Sequence, residues 1–320
     1  MIEMKNLLFG ENQDSDIDYI PFEITNENRD LIGYTGELNE ELVIPETFKH
    51  KGKHYKVVGI GTKAFELCVN LTSVVIPNTV TYIDDYAFAY CNRIISVSLS
   101  NGVRTIGKGV FYRCLSLIDI ELSDTLITIG AEAFHSCESL ISIVIPDNVI
   151  TIGESIFLKC ASLQSVKLSN NITLIPDSAF KECSSLTLIE IPIGVESIGN
   201  SAFIWCKSLS SVIIPNTAIS IGNSAFMKCS SLTSVVIPNG VLYIGKCAFA
   251  ACSALVSIVI PITIITLGIR VIDSCSKLSV IYYEGNKQKW SVIQKEQYWD
   301  KDAGLKGKYE IIYDYIPKEM

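Results

Sequence analysis

The sequence is poor in charge, and basic residues are its scarcer kind. Charged residues make up 19% of the 320 residues, with 26 lysines and arginines against 34 acidic residues and a formal net charge of −8. A general nucleic-acid-binding protein needs a basic face that neutralises phosphates. A protein held on a membrane surface by charge needs one as well. The composition therefore argues against both classes, and we expect neither nucleic acid nor membrane as a partner.

Catalytic motifs are also lacking. The chain has only three histidines, His50, His54 and His135, and none accompanies a nucleophile motif. We find no G-x-S-x-G, no glycine-rich phosphate loop followed by Lys-Ser/Thr, and no H-E-x-x-H. We interpret the histidines as plain surface residues, and we expect a protein that is not an enzyme, with no catalytic residue, no cofactor and no metal site.

Targeting segments are equally hard to find. The stretch MIEMKNLLFGENQDSDIDY has no apolar region of signal-peptide length and no small-residue cleavage site, which leaves a cytoplasmic location open. Residues 253–269 carry no charge, but they contain Pro261 and fall short of the roughly 18–20 residues that a membrane helix needs. We therefore expect no membrane span.

The sequence instead contains a 23-residue repeat. Its unit is L-x-x-V-x-I-P-x-x-V-x-x-I-G-x-x-A-F-x-x-C-x-x, and a period of this length is typical of solenoids. Its phenylalanines are Phe65, Phe88, Phe111, Phe134, Phe157, Phe180, Phe203, Phe226 and Phe249, with Ile272 in the tenth place. Its cysteines are Cys68, Cys91, Cys114, Cys137, Cys160, Cys183, Cys206, Cys229, Cys252 and Cys275.

Each part of the unit has a structural interpretation. The V-x-I step alternates with period two in β-branched residues and predicts a short strand, which proline ends because it lacks an N–H donor. Glycine permits a positive φ or a close approach of the backbone where the chain turns a corner. The A-F-x-x-C-x-x-L spacing predicts one face of a short helical or 3₁₀ turn. Because one turn cannot bury these groups alone, we expect ten stacked turns, roughly 50 Å long at about 4.8 Å per turn.

The unit resembles the BspA-like leucine-rich repeats, the 23-residue class typified by Treponema pallidum proteins. The L-x-x-V-x-I-P strand and the I-G-x-x-A-F-x-x-C return carry the resemblance from Val57 to about Tyr283. It implies an α/β solenoid, a right-handed superhelix with a parallel sheet on its concave side. Members of the family are mostly surface or secreted binding and adhesion proteins. The resemblance thus implies a cell-surface or secreted location and a protein ligand, such as a host extracellular-matrix or cell-surface protein.

The ends of the array differ from its centre. We expect a loose acidic arm at 1–18, a β-rich N-terminal cap at 19–57, the solenoid at 58–283 and a C-terminal cap at 284–320. In the last segment Trp290 and Ile293 are spaced for a short helix, and 309–316 (YEIIYDYI) predicts a closing strand. The many aromatic residues of this end either seal the core or form a binding platform.

Eleven cysteines raise the question of disulfides and metals. Ten of them recur every 23 residues, whereas metal sites need clustered ligands. We expect a buried ladder of reduced thiols, since cysteine packs as a small hydrophobe. Bridging stays open, because stacked neighbours lie within disulfide distance. Cys247 stands outside the ladder and is the thiol that we expect to be most exposed.

The candidate binding residues are those that point outward from the predicted strands. One outward column is small and polar, and the other has a charged centre and an apolar C-terminal third, which suggests a contact surface. These residues are Ser211, Ser234, Ser257, Ile213, Val236, Val259, Tyr282, Glu121, Lys167 and Glu190. Alternatively, β-branched residues simply suit the strand ladder, and the opposite face offers Tyr90, Tyr112 and Trp205.

Two classes of function follow from this pattern. The first is a non-enzymatic binding or adhesion module that presents its concave sheet to a protein, as a monomer. The second is a structural or self-assembling surface repeat.

Overall fold

Each 23-residue unit folds as one turn of a parallel-strand solenoid, which confirms the predicted fold class. The computed structural model describes residues 22–24, 30–34, 40–50, 53–301, 303 and 309–317, so the predicted acidic arm at 1–18 lies outside the described residues. A turn contributes a longer strand, a two-residue strand and a run of tight turns.

The longer strands run parallel and form four hydrogen-bonded sheets along the solenoid, with paired residues 23 apart in most strand pairs. Val74 lies opposite Val97, and Ile143 opposite Val166. These strands are β3 (Glu41–Val43), β7 (Ser73–Ile76), β9 (Ser96–Leu99), β11 (Asp119–Glu121), β13 (Ser142–Val144), β15 (Ser165–Lys167), β17 (Leu188–Glu190), β19 (Ser211–Ile213), β21 (Ser234–Val236), β23 (Ser257–Ile260), β25 (Val280–Tyr283) and β27 (Glu310–Ile312). We call the outward side of these strands the strand face.

The two-residue strands form a second parallel stack on another side of the solenoid. Their second residue is buried in the core, as Ile83 and Ile106 are, except in the final strand, where Lys295 is half-buried. They are β6 (Gly59–Ile60), β8 (Tyr82–Ile83), β10 (Thr105–Ile106), β12 (Thr128–Ile129), β14 (Thr151–Ile152), β16 (Leu174–Ile175), β18 (Ser197–Ile198), β20 (Ser220–Ile221), β22 (Tyr243–Ile244), β24 (Thr266–Leu267) and β26 (Gln294–Lys295).

The A-F-x-x-C segments differ from the predicted helical or 3₁₀ form, because they are consecutive tight turns. In the first unit, Ala64 N–H donates to Gly61 O at 3.2 Å, and Cys68 N–H donates to Phe65 O at 3.2 Å. The third residue of each turn has positive φ, at 59° for Lys63 and 63° for Leu67. A left-handed residue every four positions interrupts a right-handed helix and is the mark of a type II turn.

These turns are stabilised mainly by the neighbouring units. Phe65 N–H donates to Ala87 O in the next unit at 2.7 Å, and Phe88 N–H donates to Val110 O at 2.9 Å. In a helix these backbone N–H and C=O groups would form hydrogen bonds within the same segment, whereas here they form them between neighbouring units. The buried polar groups of the backbone therefore have hydrogen-bond partners. We call the outward side of these segments, residues 62–70 and their equivalents in later turns, the turn ridge.

Two ladders of side chains fill the core behind the turn ridge. Adjacent phenylalanine rings from Phe65 to Phe249 stack with centroids 5.0–5.8 Å apart and planes within 22° of parallel. From Cys91 to Cys275, each thiol donates to the carbonyl oxygen of the phenylalanine 26 residues earlier, at 3.0–3.3 Å. All eleven cysteines are free, and the ladder is buried except at Cys68, which is half-buried at the N-terminal end.

The N-terminal segment continues the solenoid rather than ending it abruptly. Strand β1 (Phe22–Ile24) pairs antiparallel with β2 (Asp30–Tyr34), which pairs in parallel with β6. Strand β3 pairs in parallel with β7, so the long-strand stack begins before the first full unit. Between these strands, β4 (Thr47–His50) and β5 (Lys53–Lys56) form an antiparallel hairpin.

Aromatic side chains pack at the C-terminal end. Helix α1 (Lys287–Val292) begins at Asn286, whose side chain accepts a hydrogen bond from Lys289 N–H at 2.9 Å. It buries Trp290 against Tyr283, with ring centroids 4.9 Å apart, and Trp299 adds a second contact at 5.7 Å. These rings pack against the core, as the core-sealing interpretation expected. Over the described residues, no helix is long and apolar enough to cross a bilayer.

Candidate functional site

The strand face presents two in-register columns of outward side chains. The register places Val43 beside Val75, then Ser98 and Glu121, in one continuous column. Alternation along a strand requires these residues to point away from the core, since their neighbours Val74 and Ile76 are buried.

Most of the predicted binding residues are exposed on this face. Ile213 is 47% exposed and Val236 is 36% exposed, so two large apolar side chains meet solvent on adjacent turns. Ser211 and Ser234 are exposed beside them, whereas Ser257 is half-buried.

The predicted apolar stripe ends sooner than expected, because Val259 is only 7% exposed. Its in-register neighbour is Tyr282, which is half-buried and lies against Tyr315 with ring centroids 4.4 Å apart. We attribute the burial of Val259 to these rings, since the neighbouring strand brings Tyr282 alongside it. The expectation that Val259 is a solvent-facing contact residue is therefore wrong, and Tyr282 belongs partly to the C-terminal packing.

The centre of the strand face is charged, as predicted. Glu121, Lys167 and Glu190 are all exposed, and they form no ion pair with one another. A cleft of about 460 Å³ opens beside Lys167 and is lined by Asp124, Val144, Ile145, Pro146, Asp147, Asn148 and Lys167. This central region offers both signs of charge within a few turns.

Two features of the strand face expose apolar side chains that were not predicted from the sequence. The first is Val43, which is 60% exposed and continues the outward column ahead of Val75. The second is a row on consecutive turns just before the long strands, formed by Ile95, Ile118 and Ile141. The 23-residue spacing of the isoleucines was the signal that could have revealed this row. Exposed apolar side chains thus lie along much of the strand face, including Val144 in its centre, and the charges of Glu121, Lys167 and Glu190 lie among them.

The turn ridge carries an aromatic cluster around Tyr112. Its ring lies 5.4 Å from Tyr90 and 6.3 Å from Tyr86, both edge to face. The Tyr86 ring lies over Gly109, where a Cβ atom would come within 2.4 Å of the ring. Gly109 therefore makes room for Tyr86.

His135 belongs to this cluster and differs from the plain surface residue that we expected. Its ring meets Tyr112 edge to face at 4.6 Å, and both ring nitrogens are buried without a hydrogen-bond partner. Burial lowers the pKa of His135 below its usual 6.5, because desolvation disfavours the charged imidazolium. The side chains of His50 and His54 lie outside the described residues.

We expect the fully buried thiols to stay protonated and unreactive. Burial raises the pKa of Cys114 to about 12, since a thiolate there would be desolvated. At the open end of the ladder, the neighbouring Cys91 thiol lowers the pKa of Cys68. Within the described ranges, no group of three His, Cys, Asp or Glu side chains is placed to hold a metal ion.

The profile of the BspA type leucine-rich repeat region matches residues 58–187 and 173–292 in six copies. This chain belongs to the BspA-type leucine-rich repeat family. Among curated proteins, none matches the chain.

Solved structures of leucine-rich repeat proteins are similar to this chain. A protein from Bacteroides ovatus is 31% identical, with a TM-score of 0.76, and the match covers 83% of this chain and 70% of that one. A leucine-rich cell surface protein from Faecalibacterium prausnitzii is 28% identical, with a TM-score of 0.54 and coverage of 86% and 96%. The T. pallidum leucine-rich repeat protein is 31% identical, with a TM-score of 0.54 and coverage of 62% and 91%.

Proposed function

We propose that this BspA-type repeat protein is a non-enzymatic binding module that recognises a protein partner through its strand face. The observation that carries the proposal is the pair Ile213 and Val236, which expose large apolar side chains on adjacent turns of the solenoid. Exposed apolar surface with a polar rim is typical of protein contact sites.

The chemistry of the surrounding residues supports a protein partner. The hydroxyls of Ser211 and Ser234 lie beside the apolar pair, and Lys167 and Glu190 provide charge on the preceding turns. This arrangement offers an apolar centre with hydrogen-bonding and charged groups at its edge, which is the usual composition of a protein interface. We further propose that the protein acts in adhesion at a cell surface, because a similar protein from F. prausnitzii is described as a leucine-rich cell surface protein.

The experiment compares two double variants for capture of proteins. Ile213→Lys with Val236→Lys places charge on the strand face. The control, Ile219→Lys with Ile265→Lys, changes two isoleucines of similar exposure (44% and 47%) beside the two-residue strands. Because all four positions are exposed, we expect both variants to fold with unfolding free energies within about 0.5 kcal/mol of wild type.

We expect the strand-face variant to lose capture from an extracellular-matrix protein preparation, while the control variant keeps it. Retained capture in the strand-face variant, or equal loss in both, would contradict this assignment. If no protein is captured and light scattering shows concentration-dependent oligomers, the self-assembling repeat unit is the better description.

A further inference from the structure

The turn ridge carries one lysine on each of four consecutive turns. These are Lys159, Lys181, Lys207 and Lys228, and we call them the lysine row. Stacked turns are roughly 4.8 Å apart, so the row runs for about 14 Å along the solenoid axis. Lys159 and Lys207 are exposed, and Lys181 and Lys228 are half-buried.

The lysine row is not neutralised within the protein. Its four lysines form no salt bridge with any described residue, although lysines elsewhere on the ridge do, as Lys63 does with Glu66. The carboxylates on the ridge of these four turns all lie on the first two turns and pair with none of the lysines; they are Glu154, Asp177 and Glu182. The two turns that carry Lys207 and Lys228 have no ridge carboxylate.

The surroundings of the row contrast with the acidic chain as a whole. Residues 197–272, which span three turns, contain no aspartate or glutamate, whereas the full chain has a net charge of −8. The basic residues in this stretch are Lys207, Lys228, Lys246 and Arg270. Since exposed charges more than about 8–10 Å apart are largely screened at physiological salt, the local potential along these turns is set by the lysines.

Trp205 organises the C-terminal half of the row. The ammonium of Lys228 lies 3.6 Å from the centroid of the indole ring, and that of Lys207 lies 5.3 Å from it. Both distances are within the range of cation–π attraction, so the ring holds two ammonium groups within about 9 Å of each other. Two cations without carboxylate partners beside a half-buried aromatic ring form a prepared site for an anion that also carries an apolar surface.

We propose that the lysine row and Trp205 bind an anionic polysaccharide lying along the solenoid axis. A linear polymer with sulfate or carboxylate groups at regular intervals matches cations that recur once on each of four stacked turns, at neighbouring rather than identical positions of the repeat. A sugar ring has an apolar face of C–H groups that can stack on indole. A folded acidic protein would need a two-dimensional basic patch, and a phosphate polymer without sugar rings would make no use of the indole ring.

The test measures binding of heparin, hyaluronan, neutral dextran and inorganic polyphosphate to the full chain by calorimetry over a series of salt concentrations. We expect heparin to bind and dextran not to bind, with affinity falling linearly on a log–log plot against salt, as counterion release requires. Binding of heparin without hyaluronan supports the proposal and narrows it to sulfated polysaccharides. No binding of either glycan at low salt, or binding of polyphosphate alone, overturns it.

Matched variants locate the site. Lys181→Gln with Lys207→Gln and Lys228→Gln should weaken heparin binding at least tenfold and reduce the magnitude of the salt slope by roughly 2 to 3, about one for each lysine replaced. The control, Lys56→Gln with Lys287→Gln and Lys289→Gln, removes the same charge from exposed positions elsewhere and should change affinity less than twofold. Equal losses in the two triple variants overturn the assignment to the ridge.

Trp205→Ala separates stacking from charge. We expect it to weaken heparin binding severalfold while leaving the salt slope unchanged, because it removes no charge. The unfolding midpoint of every variant is also measured, so that weaker binding caused by loss of the fold is recognised. Unaltered heparin affinity in Trp205→Ala overturns the role of the ring.

Discussion

The phenylalanine stack permits a sharp prediction about how stability is distributed along the solenoid. Phe180 is fully buried, and its ring lies between Phe157 at 5.4 Å and Phe203 at 5.1 Å. Phe249 is also fully buried, but it ends the ladder: its ring stacks on Phe226 at 5.2 Å, and an isoleucine takes the next place. Replacing either by alanine removes the same side chain, but the central change disrupts ring stacking on both sides.

The expected magnitude follows from burial and from the number of stacked partners. A buried Phe→Ala change costs about 3–5 kcal/mol through the transfer energy of the removed atoms and the cavity left behind. Each stacked pair adds about 0.5–1.5 kcal/mol beyond burial, so Phe180→Ala should cost about 1 kcal/mol more than Phe249→Ala. Since a whole domain has a free energy of unfolding of only about 5–15 kcal/mol, the central variant loses a large share of it.

The assay is equilibrium unfolding in urea, followed by far-UV circular dichroism. In a repeat protein each turn contacts only its neighbours, so we expect Phe180→Ala to lower the midpoint and to broaden the transition as the two halves lose their coupling. Phe180→Leu fills most of the space and serves as the control, with a smaller loss and a sharp transition. A cost below about 1 kcal/mol for Phe180→Ala, or equal effects of the central and terminal changes, would refute the stacked core.

Three further predictions follow from other features. His135→Leu should raise the free energy of unfolding by about 1 kcal/mol, because it removes two buried, unpaired nitrogens. Because the folded-state pKa of His135 lies below 6.5, the unfolded chain takes up the proton first, so wild-type stability should fall as the pH drops below about 6.5 and the variant should lose this component in pH-dependent melting. Gly109→Ala should cost about 1–3 kcal/mol, because Gly109 has φ +57° and its Cβ would meet the Tyr86 ring at 2.4 Å; chemical denaturation should show that Tyr86→Ala relieves the part due to the clash and leaves the part due to backbone strain. In native protein, iodoacetamide should label Cys68 and Cys247, the two thiols that are not fully buried, and leave the other nine until urea is added; mass spectrometry that finds Cys183 labelled without urea would count against the buried ladder.

The core was predictable residue by residue, whereas the path of the backbone behind it was not. Phe180, Cys183 and Leu186 are all fully buried, as their 23-residue recurrence indicates. Their spacing of three also fits a helix, and that local interpretation was misleading. The turns are instead set by hydrogen bonds to the next unit, such as Phe180 N–H to Ala202 O at 2.8 Å, and no single repeat reveals these bonds.

The candidate surface was predictable in part. Ile213 and Val236 are exposed as alternation along a strand requires, but Val259 on the next turn is not. Its burial accompanies the ring of Tyr282 beside it and that of Tyr315, which comes from beyond the repeat. Sequence periodicity describes what each turn has in common, so it cannot anticipate contacts made by a terminal segment that does not repeat.

The sequence by itself determined the architecture of this protein, because a 23-residue apolar period can be buried only if successive turns stack in register. The tertiary structure decided which of the remaining side chains are available and what surrounds them. It brought Lys207 and Lys228 to the ring of Trp205, placed His135 without a hydrogen-bond partner against Tyr112, and covered Val259 at the C-terminal end. The physical reason is that the repeated positions have one environment in every turn, whereas each variable position takes its environment from the turns above and below it.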